Sequence, residues 1–217
     1  LLDSAVSHFS RVGYDGASLR DIARDADVPL SAIHHYFGSK TDLFAAVARQ
    51  AWDEVDEERS RLLDRARARA GVGGTPRLET LIHALAYPVV RRANGPNRRD
   101  RAQILVVCSH RGRGPHEVMA RILEVADRSM TRWIEAMIPS CPGLSREEVI
   151  WAFSFVVGTI YSWQLLDQRY EKMLGAGCKF RDAEEITGDI VAFCCKGIEA
   201  ICDRRRTEPG LRLVLSA

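Results

Sequence analysis

Eight residues between positions 18 and 40 carry groups suited to reading a polyanion: Ser18, Arg20, Ser31, Ala32, His34, His35, Tyr36 and Lys40. Hydroxyl, imidazole and phenol groups exchange hydrogen bonds with base edges and phosphate oxygens. A methyl group such as that of Ala32 packs against thymine, and Arg and Lys neutralise phosphates. Such groups are useful only at fixed spacing, on a short helix held by a partner helix at a set angle.

The stretch SLRDIARDADVPLSAIHHYFGSK supplies that frame. Ser18 followed by Asp21 is a capping-box pattern, and Leu19, Ile22, Ala23 and Ala26 then face inward on a first short helix. A break at Asp27–Pro29 precedes a second helix, Leu30–Phe37. Ile22, Ala23, Ala26, Val28, Ile33 and Phe37 are spaced to form a small core. Ser31, Ala32, His34 and His35 are left to face a groove. The N–H groups opening the first helix at Ser18, and the charge of Lys40 at the next helix start, suit phosphates. Upstream, Leu2, Ala5, Val6, Phe9 and Val12 make an apolar stripe that Gly13 ends. Downstream, Ser39 and Asp42 form a second capping box, and the helical pattern runs to about Ala70, roughly 45 Å at 1.5 Å per residue.

The remainder also has helical periodicity. GVGGTP at 71–76 is a stop, and helices are expected at about 77–93, 98–110, 115–138, 145–174 and 182–206. The expectation is an all-α chain of about nine helices, with no internal repeat. An N-terminal helix-turn-helix domain is expected over 1–47 and a larger helical domain over 48–217.

Residues 2–47 resemble the DNA-binding domain of the TetR family of transcriptional regulators. The family's pattern is an apolar first helix, a G-Y-x-x-x-[ST] junction, I-A-x-x-A-G-V-S, an aromatic–x–aromatic–F run, then S-K and an apolar pair. This chain has Gly13-Tyr14, Ser18, Ile22-Ala23, Ala26-Asp27-Val28-Pro29, His34-His35-Tyr36-Phe37, Ser39-Lys40 and Leu43-Phe44. Three residues depart from it. Asp27 stands where glycine is usual, in a turn that wants a left-handed residue. Pro29 replaces the usual capping serine. His34 replaces the usual tyrosine. The resemblance implies a double-stranded, palindromic operator as partner, a homodimer, and a small-molecule effector held in the C-terminal domain.

The C-terminal half offers matching material. VIWAFSFVVGTIYSWQLLDQRY at 149–170 is apolar on nearly all sides, so a partner must cover what its own domain does not. Gly158 would admit a close helix, and ITGDIVAFCCKGIEAIC at 186–202 carries a second stripe with Gly188 and Gly197. The resemblance implies that these two helices pair with their symmetry mates in a four-helix bundle. Candidate ligand-lining residues are His83 and Tyr87, Cys108, Met130, Trp133 and Met137, and Phe155, Thr159 and Trp163, with plain core packing as the alternative for each. A pocket of that lining suits a hydrophobic or amphipathic effector. Arg91, Arg92, Arg98, Arg99 and Arg101 read as a solvated face, or as a site for a phosphate-bearing ligand.

Composition narrows the other classes. The 217 residues are 46% hydrophobic and 28% charged with net charge +2, so no global basic field marks nucleic acid. Residues 1–50 hold five cations (Arg11, Arg20, Arg24, Lys40, Arg49) against six acids. Affinity there must lean on helix N-termini and hydroxyls, or on a basic arm. Further residues are expected before Leu1, which already lies inside a helical pattern. No nucleophile elbow, phosphate-cradling glycine loop or metalloprotease motif is present, so no enzyme is expected. Cys108-x-His110 with His116 offers too few ligands for a metal, and no cofactor is expected. The six cysteines lack framework spacing, so reduced thiols, a cytoplasmic location and no membrane association are expected. The alternative is a helical small-molecule-binding or thiol redox-sensing protein, using Cys194, Cys195 and Cys202, with a vestigial DNA-binding head.

Overall fold

The computed structural model describes residues 1–93, 116–174 and 181–207, and for 116–126 and 163–174 it describes the backbone. The described residues form eight α-helices and one 3₁₀ turn, with no strand. The helices are α1 (Leu2–Gly16), α2 (Leu19–Asp25), α3 (Leu30–Phe37), α4 (Lys40–Ala70), α5 (Leu78–Ala93), α6 (His116–Met137), α7 (Arg146–Leu174) and α8 (Ala183–Thr207). The turn is Ile138–Ser140, between α6 and α7. The helix expected at 98–110 lies outside the described residues.

Two cores are built on these helices. In the first, Ala5 and Phe9 of α1, Ile22 of α2, Ile33 of α3 and Leu43, Phe44 and Val47 of α4 are fully buried. Phe44 meets the rings of Phe9 and Tyr14 edge-on, at 5.0 and 5.3 Å. The second core joins Val55 and Leu63 of α4 to Leu81, Ile82 and Val90 of α5, Trp133 and Met137 of α6, Val149, Val156 and Ile160 of α7, and Ile198 of α8. The 31-residue α4 serves both, and Ala51 packs on each. At ~1.5 Å per residue, α4 is a rod of about 46 Å.

One expectation about a single residue needs correction. Val12 is exposed rather than part of the inward stripe. The buried stripe ends at Phe9, and the helix itself breaks directly after Val12, at Gly13 with φ 74° and ψ 179°. Of the six residues expected to form the small core, Ile22, Ala23 and Ile33 are buried, and half-buried Val28 and Phe37 pack against them.

Candidate nucleic-acid interface

The head is set by local chemistry. Ser18 caps α2 with a long bond from the Asp21 N–H (3.5 Å). Ser39 caps α4 more firmly: its Oγ accepts from the Asp42 N–H (3.1 Å) and donates to the Asp42 carboxylate (2.5 Å). Between α2 and α3, Asp27 takes the left-handed conformation (φ 53°), and the Val28 N–H closes back on the Ala23 carbonyl (3.0 Å). Pro29 opens α3 without a side-chain cap. Asp25 ties the end of α2 to α1 by a 2.6 Å hydrogen bond with buried His8. That bond, with the Arg24 charge beside it, holds the Asp25 carboxyl below its usual range despite some desolvation.

Ile33 alone of α3 is buried, which fixes what the helix shows to solvent. Ser31, His34, His35 and Tyr36 are exposed, Tyr36 by 75%, and Ala32 is half-buried. The rings of His35 and Tyr36 meet edge to face at 5.1 Å. His34 Nδ1 donates to the Gly38 carbonyl (3.0 Å), because a carbonyl can only accept. With Nδ1 so engaged, Nε2 is the ring nitrogen left for a base edge or a phosphate.

Arg20 is exposed, and Ser18 and Lys40 are half-buried. Lys40 Nζ donates to the Asp15 carbonyl (3.2 Å) and lies 4.7 Å above the Tyr14 ring. Tyr14 in turn shares a 2.8 Å hydrogen bond with Thr41. Tyr14 and Thr41 are not among the sequence candidates, and they sit with Lys40 at the N-terminus of α4. The Gly13-Tyr14 pair is the signal that points to them. Arg24 bridges Asp21 (2.8 Å) and Asp25 (3.4 Å), so this cation is spent within the head.

The residues named for a ligand fall into separate groups. His83 and Tyr87 stack on α5 at 5.3 Å, and His83 reaches Glu184 of α8 at 3.3 Å. Trp133 and Met137 are sealed in the second core, with Met130 at its edge. Phe155 is 60% exposed, as is Trp151 one turn before it on α7. Thr159 donates to the Phe155 carbonyl (2.9 Å). Cys108 and the Trp163 side chain lie outside the described residues, as do Arg98, Arg99 and Arg101. Arg91 and Arg92 are not a free basic face: both donate to Glu58, at 2.9 and 2.6 Å.

Ile150, Trp151 and Phe155 of α7 and Phe193 of α8 form an exposed apolar set. A methyl group at Gly158, Gly188 or Gly197 would meet nothing within 4 Å, so these backbones are open to approach. Cys141, Cys194, Cys195 and Cys202 are buried free thiols. Burial pushes Cys141 up to about 11 and Cys195 up to about 12, with neighbouring thiols and acids adding to it. Thiols so held make few thiolates, which counts against oxidant sensing. Among the described residues, no cluster of metal-ligating side chains occurs and no helix is long and apolar enough to cross a membrane.

Known proteins share this arrangement. The profile described as bacterial regulatory proteins, tetR family, matches residues 1–47. The tetracyclin repressor-like C-terminal domain matches residues 83–197. The HTH-type transcriptional repressor KstR of Mycolicibacterium smegmatis is 28% identical over 118 residues, 54% of each chain. The chain spans between 30% and 54% of the length of the curated relatives it matches. The structure of the ketosteroid transcriptional regulator KstR2 of Mycobacterium tuberculosis superposes with TM-score 0.62 at 15% identity, covering 90% of this chain and 91% of that one. AibR, crystallised with isovaleryl coenzyme A and operator DNA, gives 0.59 at 15% identity, over 88% and 94%. At such identities these structures establish the fold.

Proposed function

The chain belongs to the TetR family of transcriptional regulators, DNA-binding proteins and not enzymes, and from that premise we propose that it is a homodimeric repressor released from its operator by a hydrophobic or amphipathic small molecule. The observation that carries this reading is α4. One uninterrupted helix belongs to the core that holds α3 and to the core beneath α5–α8. A tilt of α4 at its C-terminal end therefore moves the reading head as a body.

In this reading residues 1–47 read DNA, and 48–217 dimerise and hold the effector. Ser31, His34, His35 and Tyr36 face the major groove. Ser18, Arg20, Lys40 and the free N–H groups at the start of α4 take phosphates. Trp151, Phe155 and Phe193 pack against a second copy, with Gly158, Gly188 and Gly197 at the closest approach. Two heads fixed by one dimer match half-sites one helical turn apart, and effector binding favours a spacing that does not. The effector class accords with the isovaleryl coenzyme A bound by AibR and the ketosteroid link of KstR2, each a property of that protein.

Binding to the DNA upstream of its own gene, measured by fluorescence anisotropy across a salt series, tests this. Lys40→Ala weakens every sequence alike and flattens the salt dependence, whereas Ser31→Ala and His35→Ala change which operator is preferred. Absence of binding at low salt by the full-length protein overturns the reading. Equal losses on all sequences for the α3 variants overturn the assignment of that face.

A further inference from the structure

Arg59 sits on the buried stripe of α4, between Val55 and Leu63, and is 4% exposed. Its Nε donates to the Leu85 carbonyl of α5 (2.8 Å). Leu85 adjoins Ala84, whose carbonyl loses its helical donor to Pro88. That bond fixes the guanidinium but leaves Nη2 buried with no hydrogen-bond partner. No carboxylate pairs with it among the described residues. The half-buried acids of the same helical turn are already engaged: Asp56 by Ser129 and Arg132, and Glu58 by Arg91 and Arg92. Arg91, Arg92 and Arg132 thus share those two acids, and Arg59 is left with a backbone carbonyl alone. A guanidinium cannot shed its proton to escape burial, so its charge needs an anion.

The other unpartnered buried atoms point the same way. They are Trp52 Nε1 on α4, Arg132 Nε and Trp133 Nε1 on α6, and the Tyr161 hydroxyl on α7. Arg205 Nε is set apart, since it forms a 2.5 Å ion pair with Glu148. Every one of these is an N–H or O–H donor, and all lie on the three helices that enclose the second core with α5. Among the described residues this core holds buried donors and a buried cation without matching acceptors, which is complementary to an acceptor-only anion.

We infer that Arg59 anchors the carboxylate of an amphipathic monocarboxylic acid whose apolar body lies in the second core. A carboxylate is a small anion that offers two acceptors to a planar guanidinium, which suits a buried arginine flanked on its helix by Val55 and Leu63. This inference rests on the reading of the C-terminal domain as an effector domain and narrows its ligand to acids.

Calorimetric titration of the full-length protein with dodecanoate, dodecanol and dodecanoyl coenzyme A tests it. The acid binds about tenfold or more tighter than the alcohol, the difference made by one charged hydrogen-bonded contact. Arg59→Met, similar in length and apolar, abolishes that preference and keeps the alcohol's affinity. Equal binding of acid and alcohol, no binding of either, or a preference that survives in R59M overturns the inference. Binding of the thioester without the free acid also overturns it, by assigning the charge to phosphate. If R59M does not fold, the acid–alcohol comparison in the unaltered protein decides alone. Operator release is read separately by anisotropy. Acid preference without release supports the anchor and refutes the release reading, while release by the alcohol as readily as by the acid does the reverse.

Discussion

Replacing Asp27 by glycine should stabilise the reading head and tighten its grip on DNA. Asp27 is the only non-glycine residue with positive φ among the described residues (φ 53°). For an L-residue the left-handed region costs roughly 1–2 kcal/mol. Glycine removes that cost but gives back about 0.5–1 kcal/mol through its freer unfolded chain. The net gain is about 0.5–1 kcal/mol, which slows the opening that exposes the head's amides by roughly two- to fivefold. Hydrogen exchange at Val28, whose N–H closes the turn on the Ala23 carbonyl, reads this directly. Asp27 also places a negative charge just past the C-terminal end of α2, where the helix dipole opposes it, and on a head that binds a polyanion in the proposed complex. Asp27→Asn separates the two effects, because Asn tolerates the left-handed region and carries no charge. Both variants should bind operator more tightly at low salt and converge with the parent as salt rises, and glycine should be the more effective in protecting Val28. Unchanged or faster exchange at Val28 in the glycine variant would refute the strain argument. It would mean that the Asp27 side chain stabilises the turn by more than its backbone costs.

Three further outcomes are expected from other parts of the molecule. Ser39→Ala removes the cap of α4 and the Ser39–Asp42 bond, and should lower stability by about 1 kcal/mol in chemical denaturation monitored by circular dichroism. Glu58 is pushed up by burial, but hydrogen bonds from Arg92 and Arg91 outweigh that and hold its carboxyl below the ordinary 4.5. Its contribution is therefore complete above that value and lost as pH falls through the lower folded value. The stability gap between parent and Glu58→Gln should be constant from about pH 7 to about pH 5 and close below it, and a gap that widens in acid would contradict the sign. Trp151→Glu, on the exposed face of α7, should shift sedimentation toward monomer and leave helix content unchanged. An unchanged sedimentation coefficient would remove this face from the dimer interface.

The reading head is legible in the sequence because its determinants are local. Ser18 caps α2 and Ser39 caps α4 through N–H groups only three residues away, and Asp27 answers a backbone demand of its own turn. Val12 escapes the same reasoning because it keeps the spacing of Ala5, Val6 and Phe9, and spacing carries no mark of where along a helix the covering core ends. In the C-terminal half the limits are of another kind. A helix such as α7, apolar on nearly all sides, carries no mark of which side its own domain covers. Sequence alone therefore groups Phe155 with Trp133, although the first is exposed and the second sealed.

Arg59 shows the sharpest limit. Its position one turn from Val55 and one turn from Leu63 is the spacing of a core residue, yet arginine is ordinarily solvated or snorkels to the surface. The partner that keeps it inside is a carbonyl 26 positions away, in a helix interrupted by Pro88. No pattern within α4 announces that partner. The conflict itself is visible, however: a cation at the centre of an apolar stripe contradicts the local rule for burial. Natural sequences agree with their folds across most positions, so a disagreement of this kind falls where something other than folding sets the residue. Replacing a buried charge with an apolar residue of like shape is often neutral or stabilising. Folding alone therefore gives little reason to keep an arginine at position 59, whereas an anion that must be held inside the second core does.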